Sequence, residues 1–290
     1  MLLQENEDMI GIIGGTGLYT LTNLEFCKEH HVKTPFGEPS ASILESQHKG
    51  KQVFFLPRHG KDHQFLPHEV NSRANIFALK KLGVKSIIGI SAVGSLKEDI
   101  KPGDFSIPDQ YFDFVKGARE RTFFGNGLSA HVSTAEPVCP WLTKKICDVG
   151  QSLGIKIHTK KTYACIDGPR LGTRAESFFL RGPAGCDLVG MTNIPEAFLA
   201  REAQICYACL TIATDYDCWL DDPAQHVSVE MVFSRYSKSL DKARNLLKSF
   251  LERQFEKGEC LCRHALETAL ISKVDTLEER EKRILEVLKE

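Results

Sequence analysis

Short apolar, β-branched runs alternate with amphipathic stretches along most of this chain. The apolar runs have the length and composition of buried strands and lie at residues 9–13, 52–57, 86–92, 162–166, 187–190 and 205–214. Several are apolar on both faces, which is typical of a central sheet covered on both sides. Helical periodicity appears between and after them, at residues 70–82, 142–153, 195–203 and 229–255. The pattern predicts a single-domain α/β fold with a central mixed sheet flanked by helices.

Two capping patterns predict where helices begin. Asn193 precedes the helix expected at residues 195–203, and Glu196 follows three residues later, as in a capping box. Thr276 and Glu279 repeat this spacing before a helix expected at residues 277–288. That helix belongs to a segment that resembles an appendage. We therefore expect a main domain over residues 1–257 and a C-terminal helical extension over residues 258–290, packed on the body or on a neighbouring subunit.

Composition excludes several classes of protein. Of 290 residues, 42% are hydrophobic and 26% are charged, as in a folded globular chain rather than a disordered one. The 37 basic and 38 acidic residues leave a net charge of −1, which provides no basis for nonspecific nucleic-acid binding. No apolar run approaches the ~18–20 residues needed to cross a bilayer, and the acidic N-terminus argues against a signal peptide. We expect a cytoplasmic protein that binds neither nucleic acid nor membranes.

Groups suited to binding an anion follow four of the predicted strands. In an open α/β sheet, ligands bind beyond the carboxyl ends of the strands. The groups found there are hydroxyls, exposed backbone N–H groups, an Arg-His pair and a helix N-terminus. These candidates are Thr16, Arg58, His59, Ser91, Ala92 and Thr192. Each of these residues could instead serve only as part of a turn or a helix cap. Because anion-binding groups follow four different strands, however, the sequence predicts a phosphate site.

Two carboxylates follow a fifth strand. Asp215 and Asp217 come directly after the apolar run at residues 205–214. Burying an acid costs free energy unless the group is paired or used. The alternative is a pair of solvated loop acids. Together with the phosphate candidates, the two acids predict an enzyme that handles phosphate and a nitrogenous leaving group.

Histidines and cysteines capable of binding a metal lie close together at two places in the sequence. His59, His63 and His68 are close in sequence but lack the pattern and ligand spacing of a zinc site, so we expect no metal there. The ten cysteines are read as mostly buried, reduced thiols. Cys260 and Cys262 leave three alternatives open. These are a strained disulfide, two free thiols, or metal ligation, for which two thiols supply only half of a tetrahedral zinc site.

The chain resembles the nucleoside phosphorylases of the trimeric purine-nucleoside and methylthioadenosine phosphorylase family. The motifs that carry this resemblance lie at residues 12–18, 34–39, 57–60, 71–75, 92–95, 102–104, 136–137, 168–170, 174–176, 190–192, 195–196 and 213–219. They are in order and span most of the chain. The resemblance implies reversible phosphorolysis, in which orthophosphate attacks C1′ of a nucleoside and the free purine leaves. It implies that orthophosphate is a co-substrate, that no cofactor or metal is needed, and that the protein is a homotrimer or a dimer of trimers.

The resemblance also implies a role for each candidate residue. The six residues of the predicted phosphate site would contact phosphate, and Met191 would lie under the ribose. Asp215, Tyr216 and Asp217 would meet the base, with a protonated carboxyl near purine N7. An aspartate has an ordinary pKa of ~3.9, so burial or its neighbour must raise it. Gly172 stands near the base, where some relatives have Ser. Some relatives from hot habitats carry a Cys-x-Cys pair and bridges near Cys139, Cys206 and Cys209.

Residues at both ends of the substrate bear on the choice of nucleoside. A carboxylate at Asp217 accepts a hydrogen bond from the adenine amino group and repels a 6-oxo oxygen. Val229 matches a residue of the apolar 5′ pocket in the methylthioadenosine group. Relatives that use an ordinary 5′-hydroxyl tend to have a His there, and His226 lies three residues upstream. His131 matches a position that relatives present to the 5′ pocket of the next subunit. We expect cleavage of S-methyl-5′-thioadenosine to adenine and 5-methylthioribose 1-phosphate. The alternatives are a 6-oxopurine nucleoside or methylthioinosine phosphorylase, and a noncatalytic nucleoside-binding protein.

Overall fold

One mixed sheet organises the chain. A computed structural model describes residues 9–15, 26–220, 229–256 and 260–290. Within those ranges the strands are β1 (Met9–Gly14), β2 (Phe26–His30), β3 (Ile43–His48), β4 (Lys51–Pro57), β5 (Ser86–Ser95), β6 (Phe105–Ser106), β7 (Gln110–Asp113), β8 (Ile157–His158), β9 (Thr162–Cys165), β10 (Leu188–Gly190) and β11 (Cys206–Asp215). The helices are α1 (Ser72–Lys81), α2 (Pro140–Ser152), α3 (Arg174–Arg181), α4 (Asn193–Glu202), α5 (Val229–Glu252) and α6 (Glu279–Lys289).

Strand β5 is the branch point of the sheet. Along one edge it pairs in parallel with β11, and along the other with β1 and then, antiparallel, with β10. The main path runs β2-β3-β4-β1-β5-β10-β9-β7. Because β4, β1, β5 and β11 are mutually parallel, their carboxyl ends meet at one edge of the sheet. The predicted α/β architecture with a mixed sheet is confirmed.

The six predicted strands and five predicted helices are all present, with ends shifted by a few residues. The pattern missed β2, β3, β6, β7, β8 and α3. Strand β2 is an edge strand whose middle residues are exposed, so it carries no apolar run. Strands β6 and β8 contain only two residues each, too few for a periodic signal.

Both predicted capping boxes are wrong. The N-cap of α4 is Thr192, which makes no side-chain cap hydrogen bond, and Glu196 pairs with Arg58 instead. At α6, Thr276 ends a short 3-10 helix and the N-cap is Glu278. At α4, the Glu196 carboxylate binds the buried guanidinium of Arg58 and therefore does not cap the helix.

The C-terminal extension packs on the main body. Leu266, Leu277, Ile284 and Leu288 are buried in the same apolar cluster as Phe77 of α1. The division at residues 257 and 258 lies outside the described ranges and stays a prediction. None of the helices in the described parts of the chain is both long enough and apolar enough to cross a membrane.

Candidate active site

A cavity of about 290 Å³ lies where the parallel strands end. It brings together most of the predicted site residues from both halves of the chain. Its walls include Arg58, His59, Ser91, Ala92, Gly172, Met191, Thr192, Asp215 and Asp217. The convergence follows from the parallel pairing of β4, β5 and β11, because each of these strands delivers the residues at its carboxyl end to the same edge.

Four of the predicted site residues are not among the described residues that line the cavity. Tyr216 is not among the lining residues, and its ring packs edge-on against Trp219, with ring centroids 5.9 Å apart. His131 is exposed and lies outside the cavity, where its backbone N–H bonds the carbonyl of Ala269. Thr16 lies outside the described residues. Val229 begins α5, but its side chain also lies outside the described part of the structure.

Two hydroxyl groups meet in the cavity. The Oγ of Ser91, on β5, and the Oγ1 of Thr192, before α4, lie 2.9 Å apart. The backbone N–H of Thr192 donates to the Tyr163 hydroxyl at 3.3 Å. Each hydroxyl has one proton and two acceptor sites, so the pair can turn its donors toward an anion. Two of the side chains predicted for phosphate are therefore adjacent, although more than a hundred residues separate them in the chain.

Arg58 is held by a buried carboxylate. Its Nε and Nη2 donate to the two oxygens of Glu196 at 2.8 and 2.9 Å, and both side chains are 2% exposed. The Nη1 group donates to the carbonyl of Ile90 at 2.8 Å. This bidentate pair fixes the guanidinium at the cavity wall. Tyr207 also donates to Glu196, at 2.8 Å, and completes the partners of the carboxylate.

His59 is neutral near pH 7. Burial, followed by the charge of Arg58, lowers the pKa of His59 to about 4. Its Nδ1 donates to the carbonyl of Phe65 at 2.9 Å, because a carbonyl can only accept. In the neutral ring this leaves Nε2 as an acceptor. The ring also stacks on His63, with ring centroids 4.6 Å apart.

Asp215 ends β11, and Asp217 lies in the turn that follows. The backbone N–H of Asp217 donates to Oδ1 of Asp215 at 2.7 Å, and the Thr214 hydroxyl donates to Oδ2 at 2.7 Å. Burial raises the pKa of Asp215 to about 6, with a smaller contribution from the charge of Asp217. Burial also raises the pKa of Asp217, and the neighbouring charge involved is that of Glu176. Desolvation, more than mutual repulsion, therefore raises both carboxyl pKa values.

Several supporting residues carry no sequence signal. Arg119 donates from Nη1 to the carbonyls of Met191 and Ile194, both at 2.8 Å, and from Nη2 to that of Asp167 at 2.7 Å. It thereby fixes the segment that carries Met191 and Thr192. Arg119 lies in the irregular stretch between β7 and α2, and nothing in the neighbouring sequence predicts these long-range contacts. Tyr236 of α5 also lines the cavity.

The chain is similar to known proteins in sequence and in fold. A family model described as the phosphorylase superfamily matches residues 9–252. The chain belongs to this superfamily. The chain is also similar to the S-methyl-5′-thioadenosine phosphorylase of Hyperthermus butylicus, with 48% identity over 90% of this chain and 95% of that protein. A protein of the same name from Geobacter sulfurreducens is 44% identical over 92% of each chain.

Solved phosphorylase structures share this fold. A methylthioadenosine phosphorylase from an antarctic soil metagenomic library superimposes with a TM-score of 0.90, at 43% identity, over 96% of this chain and 98% of that one. The methylthioadenosine phosphorylase of Schistosoma mansoni, solved in complex with adenine, gives a TM-score of 0.80 at 37% identity, over 84% and 90% of the two chains. The family resemblance predicted from the motifs is confirmed.

Proposed function

We propose that this phosphorylase cleaves S-methyl-5′-thioadenosine with orthophosphate, releasing adenine and 5-methylthio-α-D-ribose 1-phosphate. The observation that carries the proposal is one cavity that holds both an anion-binding set and a pair of buried acids. The names of the relatives described above, which are methylthioadenosine phosphorylases, support the same activity. Orthophosphate is the co-substrate, and the reaction requires no cofactor.

The anion-binding set serves the nucleophile. The hydroxyls of Ser91 and Thr192 donate to phosphate oxygens, and Arg58 supplies a fixed positive charge. Neutral His59 accepts, at Nε2, a hydrogen bond from the hydroxyl of a hydrogenphosphate, which keeps its proton. Thr16 and the backbone of Ala92 complete the proposed set. A phosphate held in this way attacks C1′ as the bond from C1′ to N9 breaks, and its charge stabilises the oxocarbenium character of the ribosyl ring.

The acids serve the leaving group. As electrons from the breaking bond move into the purine, the carboxyl of Asp215 gives a proton to N7, so the base leaves neutral. A pKa of about 6 keeps part of the Asp215 population protonated close to neutral pH. Asp217 accepts a hydrogen bond from the 6-amino group and thereby selects adenine. Gly172 leaves the wall near the base open, since a Cβ there would meet only Glu176, at 4.0 Å.

The proposed 5′ pocket includes a residue from a neighbouring subunit, so it depends on the oligomeric assembly. Met191 lies under the ribose, and Val229 supplies an apolar wall for the methylthio group. His131, exposed and outside the cavity of its own chain, reaches the 5′ pocket of a neighbouring subunit in a homotrimer. Light scattering reports the molar mass of the assembly. In that assembly, His131→Ala raises the KM for methylthioadenosine but not that for phosphate.

Steady-state rates on four nucleosides test the proposal. Methylthioadenosine, methylthioinosine, adenosine and inosine are each supplied with and without phosphate, and free base and sugar phosphate are quantified. Phosphate-dependent adenine release, fastest from methylthioadenosine, is the expected result. Faster cleavage of the 6-oxopurine substrates would overturn the assignment to adenine. Tight nucleoside binding without turnover would identify a binding protein, and base release without phosphate would identify a hydrolase.

A further inference from the structure

Four buried cysteines from three distant segments meet on the side of the sheet that packs against α2 and α5. Cys139 precedes α2, Cys206 begins β11, and Cys260 and Cys262 lie at the start of the C-terminal segment. All four Sγ atoms lie within 4.8 Å of one another, and those of Cys139 and Cys260 are 3.2 Å apart. All four are free thiols buried in the same apolar cluster.

These distances match the spacing of ligands around one tetrahedral ion. With a metal–sulfur distance of ~2.3 Å, as for Zn²⁺, neighbouring sulfurs are about 3.8 Å apart. The 3.2 Å between Sγ of Cys139 and Sγ of Cys260 lies somewhat below that value, and no pair among the four is farther apart than 4.8 Å. A disulfide would require a separation of ~2.0 Å. The structure thus supplies the two thiols that the Cys260–Cys262 pair lacks in sequence.

The surroundings favour negatively charged sulfur. The Nη1 of Arg201 donates to Sγ of Cys262 at 3.0 Å, so a cation is directed at a thiol in an otherwise apolar region. At Cys139, the backbone N–H of Leu142 donates to Sγ at 3.4 Å, at the N-terminus of α2. Helix N-termini and nearby arginines stabilise thiolates. Four neutral thiols would not need either contact, whereas four thiolates around a dication, with a net charge of −2, would benefit from both.

We propose that Cys139, Cys206, Cys260 and Cys262 form a structural site for one tetrahedrally bound, thiophilic metal ion, with Zn²⁺ as the expected occupant. Binding replaces the four thiol protons with the ion and releases them to solvent. With four protein ligands the site is closed, so it has no open position for substrate. Its role is to attach the start of the C-terminal segment to α2 and β11. The site is independent of the proposed phosphorolysis.

Metal analysis of the purified enzyme tests the site. Protein isolated under reducing conditions is passed through a chelating resin, and bound metals are quantified by mass spectrometry. About one zinc ion per chain is expected, released when a mercurial reagent titrates the thiols. Replacement by Co²⁺ is expected to give the intense visible bands of a tetrahedral thiolate complex. Absence of stoichiometric metal, including after refolding with Zn²⁺ and reductant, would overturn the proposal.

Variants and thiol mapping locate the ion. Cys262→Ser should lose the metal and lower the Tm, whereas the matched control Cys186→Ser, also buried but outside the cluster, should retain it. Should Cys262→Ser fail to fold, alkylation of the native wild-type enzyme gives the same information. The four cluster cysteines should be protected until the ion is removed. Disulfides found among them by intact mass, or a metal retained by Cys262→Ser, would overturn the site.

Discussion

Arg58 and Glu196 are joined by two hydrogen bonds of 2.8 and 2.9 Å inside the core, at the wall of the active-site cavity. A charge pair buried to this extent is costly to break, because removing one partner leaves the other uncompensated. Glu196 therefore fixes the orientation of a residue proposed to contact phosphate. The pair connects the stability of the fold to the affinity for the co-substrate.

The first prediction concerns this pair. Arg58→Ala and Glu196→Ala should each destabilise the fold by about 3–5 kcal/mol and raise the KM for phosphate. The double variant should cost less than the two single variants combined. Urea denaturation and phosphate-dependent rates measure both effects. The control is Lys144→Ala, which breaks an exposed pair with Asp148 and should cost well under ~1 kcal/mol. Additive single effects would contradict the coupling.

The second prediction concerns the paired hydroxyls. Ser91→Ala and Thr192→Val should each raise the KM for phosphate by roughly tenfold, because each removes a donor to the anion. The KM for the nucleoside should change much less. Thr211→Val is the control, since that buried hydroxyl donates to the carbonyl of Ser106, outside the cavity. A selective effect on nucleoside affinity would show that the hydroxyls do not bind phosphate.

The third prediction is a pH profile. The pKa of Asp215 is raised to about 6, so the protonated acid becomes scarce above that pH. The kcat/KM for methylthioadenosine should fall about tenfold per pH unit where this deprotonation limits the rate. Phosphate also titrates near neutrality, so the informative quantity is the ratio of wild type to Asp215→Asn at each pH. A constant ratio would exclude Asp215 as the proton donor.

The fourth prediction follows from the same pKa through stability. Folding raises the pKa of Asp215 from 3.8 to about 6, so the folded state holds the proton more tightly than the unfolded state. The contribution of Asp215 to the stability of the wild type should therefore fall as the pH rises from about 4 to about 6, with little further change above. Asp215→Asn lacks this loss. The free energy of unfolding of Asp215→Asn relative to wild type should increase across that window by up to roughly 3 kcal/mol. An unchanged difference would contradict the shift.

The fifth prediction addresses the base. Asp217→Asn should move the ratio of kcat/KM values toward 6-oxopurine nucleosides, since an amide can donate to the oxygen that a carboxylate repels. A change of roughly tenfold or more is expected. The exposed Asp148→Asn on α2 serves as the control. An unaltered preference would remove Asp217 from base recognition.

The central strands, and the candidate site residues that follow them, could be predicted from the amino-acid sequence. Runs such as residues 86–92 and 205–214 are buried on both faces, so apolar composition alone identified them. Parallel pairing is a general consequence of such strands alternating with helices, and it allowed Arg58, Ser91 and Asp215 to be assigned to one edge. The family motifs lie in these same segments because that edge is where the ligand groups are.

The side-chain partners could not be predicted from the sequence, because they come from distant parts of the chain. Glu196 has the spacing of a helix cap, but a buried guanidinium from β4's end competes for it, and this long-range contact leaves no local pattern. The hydrogen bond from Arg119 to the carbonyl of Met191 is also a long-range contact, and it likewise leaves no local pattern in the sequence. The four-cysteine cluster depends on three chain segments meeting in space, whereas sequence spacing reports only the neighbours along a single segment. Local periodicity in the sequence predicts which residues are buried. The partner of a buried side chain depends on which distant segments of the chain pack against it.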